Sequence, residues 1–170
     1  MIKRITFFCL TVFLAASVSS VVADDHVELT IGKANDGIDV YRVALRKSWV
    51  NQWLVSETGK LSGFHTFSFN HWHGGGDSLN AIAYSPVFVY RFNDAFISYL
   101  KLGVGVAYLS DTTIRNRNLS SHFQFEDQLG VGWEWDVHDL SLVYMHYSNA
   151  GIKDPNQGID MVVLSYTRRI

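Results

Sequence analysis

His146 and Ser148 stand two residues apart in Tyr144-Met145-His146-Tyr147-Ser148-Asn149-Ala150-Gly151, a stretch that reads as a β-strand. Strand side chains alternate between faces, so both point the same way. Asp160 opens the next strand, beyond a turn rich in Gly, Pro and Asn. A serine, a histidine and a carboxylate can therefore meet on one surface of one hairpin. These are the parts of an activated-serine hydrolase: a nucleophile, a base that takes its proton, and an acid that orients the base. The other residues on that face, Leu142, Tyr144, Val162, Leu164 and Tyr166, are apolar.

The elements that must position this trio repeat one pattern. After Ser121 the odd positions read Phe123, Phe125, Asp127, Leu129, Val131, Trp133 and Trp135, and the even ones His122, Gln124, Glu126, Gln128, Gly130, Gly132, Glu134 and Asp136. One face is apolar, Asp127 excepted, and the other is polar or bare. Phe96, Leu100, Leu102, Val104, Val106 and Tyr108 repeat the apolar face against Lys101, Gly103, Gly105 and Ala107; Tyr41, Val43, Leu45, Trp49 and Trp53 do so against Arg42 and Arg46. Such period-two alternation predicts strands at about 26–34, 39–54, 60–72, 79–92, 95–109, 119–136, 139–149 and 159–169. Short connections at Ser56–Gly59, Asn93–Asp94 and Val137–Asp139 alternate with longer ones expected near Ala34–Ile38, His73–Ser78, Ser110–Asn118 and Ala150–Gly158. That habit, and strands beyond the ~9–11 residues that a tilted membrane strand needs, point to an outer-membrane barrel.

The first residues read as a signal peptide and not as part of the fold. Lys3 and Arg4 precede an apolar run of 12 residues, Ile5 to Ala16, and Val21-Val22-Ala23 offers a cleavage site before Asp24. The run is too short to span a bilayer as a helix. The expected division is residues 1–23 as signal peptide and 24–170 as a single β-barrel domain. The only cysteine, Cys9, falls in the leader, so the mature chain has no disulfide and relies on its sheet and core. Without Lys3 and Arg4, twelve basic residues face sixteen acidic ones, a formal charge of −4, which argues against nucleic acid as a partner.

Alternation alone does not say which face is outside. A soluble lipid-binding barrel would turn the apolar face inward, around a ligand; a membrane barrel inverts it. Arg42, Arg46, Lys101, Glu126, Glu134 and Asp136 can pair in a filled interior, the glycines beside them suit a narrow lumen, and large aromatics suit interfacial girdles. The inverted arrangement is the expectation: an all-β, eight-stranded antiparallel transmembrane barrel. It places His146, Ser148, Asp160 and Asp127 on the lipid-facing wall, where ionisable groups mark function.

The run His146-Tyr147-Ser148-Asn149-Ala150-Gly151-Ile152-Lys153-x-Pro155-Asn156-x-Gly158-Ile159, with Phe125-x-Asp127, resembles the lipid A 3-O-deacylases of the PagL type. The resemblance implies an integral bacterial outer-membrane barrel with its site on the outer wall, in the outer leaflet. It implies lipid A, the anchor of lipopolysaccharide, as substrate, and hydrolysis of the ester-linked acyl chain at position 3, with no cofactor or metal. Ser148 then matches the nucleophile and His146 the base. Asn149, Gly151 and Asn156 match surroundings from which oxyanion and positioning roles are drawn, and Phe125 and Asp127 a pair bordering the site. Asp160 takes the acid position, where the family's usual residue is glutamate, one methylene longer. The sequence leaves the oligomeric state open.

Other readings compete. The same fold can be a catalytically silent structural or adhesive barrel, or an acyltransferase that passes the chain to another lipid instead of water. His71-x-His73 has metal-ligand spacing without a third ligand, and His73-Gly74-Gly75-Gly76 imitates a lipase oxyanion loop without the Gly-x-Ser-x-Gly that accompanies it; a glycine-rich flexible loop is the expectation there. Arg115-Asn116-Arg117 is a candidate contact for lipid phosphates or a solvated loop.

Overall fold

Among the described residues ten strands form, and the eight that arise from the alternating segments close into a barrel. The computed structural model describes residues 25–170, so the expected signal peptide and Cys9 lie outside the described residues. The strands are β1 (Asp25–Ala34), β2 (Ile38–Ser48), β3 (Gly59–Gly74), β4 (Asp77–Phe92), β5 (Tyr99–Leu109), β6 (Thr113–Ile114), β7 (Arg117–Asn118), β8 (Phe123–Trp135), β9 (His138–Ser148) and β10 (Ile159–Arg169). The barrel runs β1-β10-β9-β8-β5-β4-β3-β2, every pair antiparallel, while β6 and β7 form a separate small hairpin. Closure by β1 on β10, with Thr30 opposite Ser165, leaves no open edge.

The faces are inverted, as expected of a membrane barrel. Leu102, Val104 and Leu129 are 55–57% exposed, whereas Gln124 and Glu126 in the same sheet are fully buried. A soluble lipid-binding barrel is thereby corrected: the apolar face covers the outer wall, and charged side chains fill the middle of the interior where such a barrel would keep its ligand. Arg42 pairs with Glu126 at 2.8 Å, and Arg46 with Asp139 at 3.0 Å and with Glu28. Ser85 donates to Glu126 at 2.6 Å, Tyr99 to Asp139 at 2.7 Å and Lys101 to Ser141 at 3.1 Å. Buried charges are tolerated when they are paired and hydrogen-bonded, and each acid here meets several donors. The lumen is narrow enough to need glycines: a Cβ at Gly105 would lie 1.9 Å from Ser85 Oγ, and one at Gly132 would lie 2.1 Å from Tyr99 Cζ.

Toward the end that carries the β1–β2 and β9–β10 connections, the interior turns apolar. Ile38, Trp72, Leu79, Leu109, Leu119, Tyr147 and Ile159 pack there, each fully buried. This plug lies behind the hairpin that carries His146 and Ser148.

Several boundaries move. The second strand, expected to reach residue 54, ends at Ser48; the chain leaves the sheet and returns through a single bridge between Trp53 and Leu61. Alternation of the tryptophans persists beyond the ladder because Trp49 still packs edge-on against Phe88, at 5.0 Å between ring centroids. The sixth barrel strand begins at Phe123 and not at 119. Two connections expected to be long are tight. Residues 35–37 form one 3₁₀ turn, and Gly75 and Gly76 turn the chain at φ +64° and +91°, the positive-φ pair favoured in two-residue hairpins. His71 and His73 accordingly belong to β3, stacked at 6.5 Å, and not to a flexible loop; His71 Nδ1 is 2.8 Å from Asn80 Oδ1. The larger connections at the site's end are 110–122, which contains the β6–β7 hairpin, and 149–158. Asp111 anchors the first of these. The backbone N–H groups of Thr113 and Thr112 donate to its carboxylate at 3.0 and 2.6 Å and hold it below the usual carboxylate range.

Candidate active site

His146 has two acidic neighbours by register. Asp160 on β10 and Asp127 on β8 are both its Cα partners, one on each side. Of the two, Asp160 is the hydrogen-bond partner: His146 Nδ1 donates to Asp160 Oδ1 at 2.7 Å. An ionised carboxylate only accepts, so the proton sits on Nδ1 and Nε2 is left as the basic nitrogen. The pair lies on the outer wall, 35% and 42% exposed at the side chains. Asp127 makes no hydrogen bond or ion pair among the described residues and borders the site, half-buried.

Ser148 ends β9 on the same face as His146, two strand steps away, a Cα separation of ~6.5–7 Å. Its hydroxyl has no hydrogen-bond partner among the described residues. Phe125 is its Cα partner on β8, held edge-on by Phe123 at 5.3 Å. Between the two polar residues, Tyr147 points inward, fully buried, against Trp72 at 4.8 Å and hydrogen-bonded to Glu126. The interior network thus nails down the backbone from which His146 and Ser148 project outward, a rigid mount for a site.

The chain after Ser148 turns sharply. Ala150 and Gly151 take φ +53° and +77°, and Ile152 N donates to Asn149 O at 3.0 Å, closing a type I′-like turn. A left-handed alanine costs energy and persists only where its surroundings fix it. The fixing group is Asn149. Its Nδ2 donates to Leu119 O at 3.0 Å and to Lys153 O at 2.8 Å, and its Oδ1 accepts from Gly151 N at 2.9 Å. The amides of Asn149 and Gly151 are therefore committed to building the turn. Asn156 accepts from Asn149 N through Oδ1 at 3.2 Å, which fixes the sense of its amide. Asn156 Nδ2 and the Ala150 N–H are not used in building this turn, and they flank Ser148 as candidate donors.

The loop is braced by the neighbouring connection between β5 and β8. Arg117 on β7 donates to Gln157 O at 3.1 Å and Gly158 O at 2.9 Å while pairing with Asp36 at 2.7 Å. Asn118 N donates to Gln157 Oε1 at 2.6 Å. Arg117 is thus a clamp, which answers the expectation of a solvated loop charge. Arg115 lies over the glycine turn, its backbone N–H held by Asp77 at 2.8 Å.

Three residues not assigned roles from the sequence complete the site. Asn35 Nδ2 donates to Asp160 Oδ2 at 3.2 Å, Tyr144 OH donates to Asp160 Oδ1 at 2.5 Å, and Gly158, at φ +60°, backs the imidazole. Tyr144 shares a face with His146 in the sequence and could have been found there. Asn35 is 125 residues from Asp160 and is brought to it only by barrel closure.

The comparisons with known proteins agree with this geometry. The family described as lipid A 3-O-deacylase (PagL) matches residues 39–169. The lipid A deacylase PagL of Pseudomonas aeruginosa is 33% identical over 168 residues, 96% of each chain. That of Bordetella bronchiseptica is 39% identical over 83 residues, 48% of this chain and 46% of the relative. The crystal structure of the outer membrane enzyme PagL superimposes with a TM-score of 0.81 at 34% identity, covering 85% of this chain and 99% of that one. A designed transmembrane β-barrel matches at TM-score 0.52 and 14% identity, covering 90% of this chain and all of that one, a likeness of fold alone. A polar trio on the apolar wall of an eight-stranded barrel, and sequence identity that spans nearly the whole length, place this chain in the lipid A 3-O-deacylase (PagL) family.

Proposed function

We propose that the chain is an integral outer-membrane enzyme that removes the ester-linked 3-position hydroxyacyl chain of lipid A. Ser148 acts as nucleophile, His146 as general base and Asp160 as the orienting acid. The observation that carries the reading is the 2.7 Å bond from His146 Nδ1 to Asp160 on the outer wall, which leaves Nε2 as the nitrogen that can take a proton.

Ser148 Oγ attacks the ester carbonyl as its proton passes to Nε2. The imidazolium formed is stabilised by Asp160. Asn156 Nδ2 and the Ala150 N–H, neither of them used by the turn, are our candidates to receive the oxyanion, and Asn149 and Gly151 hold the loop that presents them. The tetrahedral intermediate then collapses by breaking the bond to the sugar oxygen, and His146 gives its proton to that oxygen, which leaves as a hydroxyl. Water repeats the sequence on the acyl-serine and releases the hydroxy fatty acid. The exposed aliphatic and aromatic wall beside the site accommodates acyl chains, with Phe125 and Asp127 at its border. The expectation of an outer-leaflet site and of export through a signal peptide cleaved before Asp24 belongs to the same reading.

Mass spectrometry of lipid A incubated in detergent with the protein tests it, wild type beside Ser148→Ala. Loss of one hydroxyacyl chain with the wild type only is the expected result. No mass change with either, on lipid A carrying the 3-position chain, would favour a catalytically silent barrel, and transfer of the chain to a second lipid would favour an acyltransferase.

A further inference from the structure

Asp160 is one methylene shorter than the glutamate that the resemblance implies at this position, and its surroundings explain how it is held. The two carboxylate oxygens of Asp160 are divided among three donors. Oδ1 accepts from His146 Nδ1 at 2.7 Å and from the Tyr144 hydroxyl at 2.5 Å. Oδ2 accepts from Asn35 Nδ2 at 3.2 Å, while Asn35 Oδ1 accepts from the Asp160 backbone N–H at 3.1 Å, a reciprocal tie between turn and strand. We propose that Tyr144 and Asn35 are positioning residues for deacylation, fixing the rotation and reach of the Asp160 carboxylate so that the short acid engages His146. This inference rests on the reading of Asp160 as the orienting acid.

An aspartate carboxylate rotates in a broad, two-fold well. On a wall that faces lipid there is little water to satisfy its lone pairs, so protein donors must do so. Tyr144 and Asn35 come from opposite sides of Asp160, β9 and the β1–β2 turn, and between them they leave one orientation. Tyr144 is 47% exposed among apolar neighbours, where its ring would pass for an interfacial aromatic. Its hydroxyl instead shares the very oxygen that His146 uses. A glutamate at 160 would carry its carboxylate about 1.5 Å further along and could not keep all of these donors together with the imidazole contact. The two residues are therefore matched to an aspartate at this position.

The test compares kcat and KM for lipid A using the full chain folded in detergent: wild type, Tyr144→Phe, Asn35→Ala, Asp160→Ala, Asp160→Glu, and Tyr144→Phe combined with Asp160→Glu. Heat-dependent gel mobility checks that each barrel is closed. Loss of a hydrogen bond to a charged group predicts a fall in kcat of roughly ten- to a hundredfold for each of Tyr144→Phe and Asn35→Ala, with KM changed by less than about twofold. Asp160→Glu retains turnover, and Tyr144→Phe costs it less than about threefold in that background, because the hydroxyl no longer meets the acid. If Tyr144→Phe fails to close, Asn35→Ala, on another element, carries the same kcat-against-KM test. Inactive Asp160→Ala beside fully active Tyr144→Phe and Asn35→Ala would overturn the inference and leave the acid assignment standing. An equal loss from Tyr144→Phe in both backgrounds would overturn it too, by assigning Tyr144 to the fold or to lipid contact. Fully active Asp160→Ala would remove the acid and the inference together.

Discussion

Gly158 packs against the imidazole edge, and Gly158→Ala perturbs the site from behind. An alanine Cβ there would stand 3.0 Å from His146 Cε1, 3.2 Å from Tyr147 O and 3.5 Å from His146 Nε2. Carbon–carbon contacts settle at about 3.5–4.0 Å, so the ring must retreat by roughly 0.5 Å. Tyr147 cannot yield, because its ring is fully buried against Trp72. A 1 Å misplacement of a reacting group costs about a hundredfold, so half of that predicts roughly a tenfold loss of kcat. The φ of +60° adds about 1–2 kcal/mol of left-handed strain for any L side chain. Gly76→Ala separates the two effects: it has φ +91° with nothing within 4 Å of the new Cβ, and it lies in the β3–β4 turn. Both variants lose similar stability in urea titrations of the lipid-embedded barrel; only Gly158→Ala loses turnover in the lipid A assay. Equal turnover in the two would refute the placement of a working imidazole against Gly158.

Arg42→Met strands Glu126 in the lumen and should destabilise the barrel by about 3–5 kcal/mol, read from urea unfolding in vesicles. Leu102→Arg, on the outer wall, should cost about 2–4 kcal/mol if the residue lies near the bilayer midplane, with turnover per folded molecule unchanged. Arg117→Ala removes the tie from β7 to Gln157, Gly158 and Asp36. Faster protease nicking between residues 150 and 158 and a severalfold loss of turnover, about three- to tenfold, are expected; unchanged cleavage would rule out the clamp.

The sequence reveals most of the wall and only part of the site. Period-two alternation survives because each strand has one face on lipid and one on the lumen, so Leu129 and Glu126 betray their sides without any neighbour known. His146, Ser148 and Asp160 are legible because they belong to one hairpin, and the register that sets Asp160 opposite His146 keeps all three on one face. What escapes depends on closure and on loops. Asn35 meets Asp160 only once β1 pairs with β10. Asn149, beside Ser148, is fully buried and holds the turn through carbonyls that its motif does not reveal. Trp49 and Trp53 continue the alternating pattern past Ser48 because aromatic packing outlasts the hydrogen-bonded ladder there. His71 and His73 sit next to three glycines that read as a mobile loop, yet two of those glycines suffice for the turn and β3 continues through Gly74.

The filled interior and the outward site together set how this molecule meets its reactants. With the Arg42–Glu126 and Arg46–Asp139 pairs crossing the barrel and an apolar plug beyond them, no route leads through the middle. A lipid substrate must arrive sideways and its products leave sideways, by diffusion within a sheet two molecules thick. Encounter is then governed by the number of lipids per unit area of membrane, not by concentration in solution. Diluting the same amount of substrate with inert lipid at fixed volume should slow the reaction, while diluting the vesicles in buffer should not.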